Sequence, residues 1–129
     1  MKKIFFALSL CITTTLLFNN KTSAQSNNSS SALLRHIVMI TFKQDAPADS
    51  IKALDDIYMN LSKSSLVKDF EWGVNISTRD TGIKHVYVTT FASKDDMDKY
   101  RKIPDYAKLF KLSLPIADDV TVADYWVNK

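Results

Sequence analysis

Few side chains in this sequence can move a proton near neutral pH. Histidine is the side chain type that ordinarily changes charge in this range, and the two present, His36 and His85, each stand at the start of a predicted strand. Together they suit an acid/base pair or a pair that orients a ligand. They equally suit two half-buried histidines bonded to backbone or to Asp124. Tyr58, Trp72, Tyr87 and Trp126 are placed either to line a pocket for an aromatic or lipid-like molecule or to fill the core. A metal site needs three or more converging ligands, and two histidines with one uncertain carboxylate do not supply them, so neither metal nor cofactor is expected. With only Gly73 and Gly82 there is no glycine-rich phosphate loop, and no Ser-His-Asp order is evident. Asp95, Asp96 and Asp98 cluster where a helix begins and complement its dipole, while Asp118-Asp119 reads as a solvated turn.

The elements that carry these residues follow from periodicity. Arg35–Lys43 is β-branched and aromatic, apolar on both faces, with His36, Val38, Ile40 and Phe42 on one of them. Pro47 and Asp49 open an amphipathic helix of about four turns, with Ile51, Leu54, Ile57, Tyr58 and Leu61 inward and Lys52, Asp55, Asp56, Asn60 and Lys63 outward. Phe70–Ser77 alternates as a second strand, in which Gly73 hints at a bulge or a close backbone approach. After the turn at Arg79–Gly82, Lys84–Ala92 forms a third strand. Ser93 caps a helix carrying Met97, Tyr100 and Ile103; Pro104 breaks it, and a second piece carries Tyr106, Leu109, Phe110 and Leu114 as far as Pro115. Val120–Val127 is the last strand, with Val120, Val122, Asp124 and Trp126 on one face. The order βαββαβ, on a four-stranded antiparallel sheet, is the α+β ferredoxin-like pattern.

The first 24 residues read as an export signal: basic Lys2 and Lys3, an uncharged apolar run Ile4–Phe18 that contains Cys11, and small residues Thr22-Ser23-Ala24 before a cleavage point. At 15 residues the run falls short of the roughly 20 that a membrane-spanning helix needs. Residues 25–32 form a polar tether and 33–129 the domain. The product is expected in the periplasm or outside the cell, with no stable membrane insertion once the signal is gone. Of 17 basic residues three leave with the signal, which leaves 14 against 14 acidic ones. A near-zero net charge gives no general attraction for nucleic acid.

Two helices can cover only one sheet face. Ile37, Met39, Val86, Val88, Ala123, Tyr125 and Val127 would then meet water on the other, and an apolar face of that size is normally an interface. A homodimer packed sheet against sheet is expected.

Taken in order, Arg35-His36-Ile37-Val38, Phe42-Lys43, Trp72-Gly73, His85 with Phe91, Tyr100 before Pro104, and Asp124-Tyr125 resemble the stress-responsive A/B barrel (Dabb) domain, a dimeric α/β barrel, over Leu34–Tyr125. The resemblance implies a helix-facing pocket containing His36 and His85, lined by Tyr58. One cyclase of the family closes a linear polyketide by an aldol reaction, and the resemblance puts Tyr100 at its catalytic tyrosine. The family's His-Pro-x-His is Ile103-Pro104-Asp105-Tyr106 here, so Tyr106 replaces the cyclase's basic histidine. A tyrosine titrating near 10 is a donor at neutral pH and not a base. The resulting expectation is a binding module for a small hydrophobic or aromatic molecule, with His36, Tyr58, His85, Tyr87, Tyr100 and Tyr106 as ligand contacts. The alternatives are a lyase, cyclase or isomerase using His85 or His36 as base and Tyr100 as oxyanion donor, and a stress-protective oligomer with no site.

Overall fold

The computed structural model describes residues 32–80 and 82–127; the export signal and nearly all of the tether lie outside the described residues. The elements are β1 (Leu34–Phe42), α1 (Ala48–Leu61), β2 (Val67–Val74), β3 (Lys84–Phe91), α2 (Lys94–Tyr100), α3 (Pro104–Ser113) and β4 (Ala117–Trp126). The strands form one antiparallel sheet in the order β2-β3-β1-β4, with β1 and β3 central. This is the ferredoxin-like arrangement, with the second helix divided in two as Pro104 requires: its fixed φ suits the first turn of α3 and cannot continue α2.

Strand alternation decides which face is which. In β1 the side chains of Leu34, His36, Val38, Ile40 and Phe42 are buried under the helices, while Arg35, Ile37, Met39 and Thr41 stay partly exposed on the other side. The core joins these inner residues to Leu54, Tyr58 and Leu61 of α1, Tyr87 and Phe91 of β3, Met97 and Tyr100 of α2, and Leu109 of α3. As expected from the sequence, the Ser93 hydroxyl caps α2 by accepting from the Asp96 amide at 3.1 Å.

Four local expectations are corrected. β2 starts and stops three residues early, because Ser77 and Arg79 amides bond to the side chains of Asn75 and Ser77, turning the chain away from β3; Ile76 is left 94% exposed. Gly73 is neither a bulge nor a close approach: an added Cβ would meet nothing within 4 Å, and the register shift sits between Val67 and Asp69. Asp118-Asp119 is not a turn but part of β4, beside a bulge opposite Thr41 and Phe42. On α3 the inward residues are Leu109 and Ser113, whereas Phe110 and Leu114 stay exposed.

Candidate functional site

Three groups of side chains lie between sheet and helices. At one end, α1 lays Asp55 over β3. One carboxylate oxygen accepts from His85 Nδ1 at 2.9 Å and from the Tyr87 hydroxyl at 2.6 Å. Because a carboxylate only accepts, Nδ1 carries a hydrogen, and Nε2, a lone pair in the neutral ring, is engaged by no other described residue. Phe42 packs edge-on to the imidazole at 5.1 Å and Trp72 lies 5.7 Å away. Burial and the Asp55 bond both push the Tyr87 phenol well above its ordinary pKa.

At the opposite end, His36 donates from Nδ1 to Asp124 of β4 at 2.6 Å, and Arg101, just past α2, donates to the other Asp124 oxygen at 2.7 Å. His36 Nε2 is fully buried and has no partner among the described residues. Register separates the two histidines: β1 pairs His36 with Thr89 and Ile40 with His85, so four residues, about 13 Å of strand, lie between them. They do not share one pocket mouth.

Between the ends, the Tyr58 ring stacks on Tyr87 at 3.7 Å. Beside it a cavity of about 270 Å³ opens between α3 and the inner faces of β1 and β4. Val38, Ile40, Val122, Leu109 and Phe110 supply its apolar walls, with Tyr58 and Tyr106 among the lining residues. It exists because α3 does not reach across the edge strand: Val120 and Val122 remain 46% and 51% exposed.

The family model of the stress responsive A/B barrel domain matches residues 34–127. The chain belongs to this family. The stress-response A/B barrel domain-containing protein HS1 of Arabidopsis thaliana is 28% identical over 95 residues, covering 71% of this chain and 87% of HS1. A hydroxynitrile lyase from Passiflora edulis aligns with a TM-score of 0.68 at 25% identity, covering 77% of this chain and 96% of the lyase. A dimeric ferredoxin-like protein from Thermobifida fusca shares the fold, with a TM-score of 0.65 at 14% identity over 76% of this chain and 93% of that one.

Of the residues expected to touch ligand in this A/B barrel domain, Tyr58 and Tyr106 line the cavity. Tyr100 stands behind Tyr106, ring centroids 5.5 Å apart, and is 1% exposed. His36, His85 and Tyr87 belong to the two flanking clusters and not to the cavity wall. Trp126 is 47% exposed at the end of β4. The anchors that the sequence reading missed are Asp55 and Arg101. Asp55, assigned to the wet side, turns in because it lies four residues after Ile51 and three before Tyr58, on the flank of the apolar stripe.

The Asp124 cluster of this domain has a pH signature. Burial holds His36 below its ordinary 6.5, against the pull of Asp124 toward protonation. The unfolded chain therefore takes up this proton before the folded one does. Stability from this group is complete above about pH 7 and falls as pH drops through 6.5 toward the folded value, by at most about 1.4 kcal/mol per pH unit. At Asp124 burial opposes ionisation, yet the bonds from His36 and Arg101 outweigh it and leave the carboxyl below its usual range. That contribution is lost only at lower pH, as pH falls through its depressed folded value. Urea midpoints should hold steady from pH 8 to 7 and decline below 6.5, and His36→Asn should flatten the section between pH 6.5 and 5. A wild-type midpoint unchanged down to pH 5 would contradict this.

Proposed function

We propose that the protein is an exported, homodimeric A/B barrel domain that binds a small hydrophobic or aromatic molecule in the cavity between the sheet and α3. The observation that carries this reading is an apolar space of about 270 Å³ lined by two tyrosines, in a domain small enough that packing alone would be expected to close it. Dimerisation is supported by the outer sheet face, where Ile37, Met39, Val86, Val88 and Tyr125 stay accessible with all three helices on the opposite side. The basic, apolar and small-residue succession before Gln25 supports export.

A thermal-shift screen of small aromatic and alicyclic compounds tests the binding, using the wild type and Val122→Trp, which fills the cavity from its exposed side. At least one compound should raise the wild-type melting temperature and leave the variant unmoved. No shift with any compound, or equal shifts in both proteins, would remove the cavity as a binding site.

A second reading, a lyase, draws on the Asp55–His85 pair, whose free Nε2 suits a general base, and on the similarity to a hydroxynitrile lyase. Hydroxynitrile cleavage abolished by His85→Gln would support it, and equal rates, or none in the wild type, would end it.

A further inference from the structure

The cavity wall is mostly apolar. Among its lining side chains only Tyr58, Tyr106 and Ser113 are polar, none is charged, and the Ser113 hydroxyl is already donated to the Phe110 carbonyl at 3.3 Å. Tyr100 backs Tyr106, with its buried hydroxyl beside Thr89 and off the cavity wall. Burial pushes the Tyr100 phenol up to about 12 against the lowering effect of a bond with Thr89, Tyr106 adds a smaller push, and Tyr58 is raised by burial and by both neighbours. Tyr58 and Tyr100 therefore stay protonated at neutral pH and can donate. Arg101, the cation that Tyr106 adjoins, is already paired with Asp124.

We infer that the cavity selects an uncharged molecule whose apolar body rests against Val38, Ile40 and Leu109 and whose single acceptor oxygen, a ketone or aldehyde carbonyl, is held by the hydroxyls of Tyr58 and Tyr106. The inference rests on the cavity being a binding site. A carboxylate there would give up its hydration for neutral donors alone, with no free cation to offset the loss. A carbonyl oxygen has two lone pairs and no hydrogen of its own to place, so it meets two donors without demanding an acceptor. Tyr106 is the selecting residue: a histidine at this position would bring a lone pair and a titratable ring, and tyrosine brings a hydroxyl donor.

Four compounds of one shape test this by calorimetry at pH 7: indane, 1-indanone, 1-indanol and indane-1-carboxylate. 1-Indanone should bind about tenfold more tightly than indane, the worth of one net hydrogen bond, and more tightly than the alcohol and the acid. Tyr106→Phe should bring the ketone to within about threefold of indane, both measured on the variant. Indane binding with no advantage for the ketone, an acid or alcohol that matches the ketone, or a ketone preference that survives Tyr106→Phe would overturn the inference and spare the cavity as a site. Binding of none of the four would overturn both.

Discussion

Asp55→Ala should destabilise the fold by about 3 kcal/mol, more than an ordinary surface substitution on a helix. One carboxylate oxygen serves two donors, His85 Nδ1 and the Tyr87 hydroxyl, and both donors are largely shielded from water. Removing it strands two polar groups that water reaches poorly, and each costs its own desolvation. It also frees Tyr87, whose stacking on Tyr58 steadies one wall of the cavity. Asp55→Asn keeps an acceptor oxygen in place, so its cost should be about half as large. Chemical denaturation of the three proteins reads the effect. Wild-type stability in Asp55→Ala would mean that the cluster is far wetter than its geometry implies.

Ile37→Asp should weaken self-association at least about a hundredfold while leaving each protomer folded. Ile37 is on the face that carries no helix, opposite Val88 on one side and Ala123 on the other. In a sheet-to-sheet dimer symmetry would bury two such carboxylates in apolar surroundings without a cation. In the isolated protomer the same carboxylate points to water and costs little. Sedimentation at micromolar concentration should give a dimer for the wild type and a monomer for the variant, and Val88→Asp should behave alike. A wild type that sediments as a single folded protomer would remove the dimer from the proposed function.

The two-residue and 3.6-residue periods carried most of the architecture. Alternation along Arg35–Lys43 sorted β1 into its two faces, the family resemblance turned the His36 face toward the helices, and Pro104 located the break between α2 and α3. Strand ends were less legible, because they depend on where the partner strand begins and on side-chain bonds such as those of Asn75 and Ser77. The site was legible as residue types and not as groupings. His36 with Asp124 was one of the pairings open from the sequence, but nothing local distinguishes Asp55 from Asp56, and only the rotation of α1 over β3 turns one inward and leaves the other to Lys52. The cavity was harder still, since it arises from how far α3 falls short of the sheet edge, a distance that no window of sequence encodes.

That same edge strand carries a safeguard. β4 offers a free ladder of backbone donors and acceptors with Val120 and Val122 beside it, the kind of border onto which a foreign strand can zip. Its first turn of pairing is kinked by the bulge at Asp118, and Asp118 and Asp119 set negative charge beside the kink. An intruding strand would have to straighten the kink and neutralise the carboxylates before it could register. Such a border leaves the half-open cavity accessible to small molecules while discouraging runaway polymerisation of the protein.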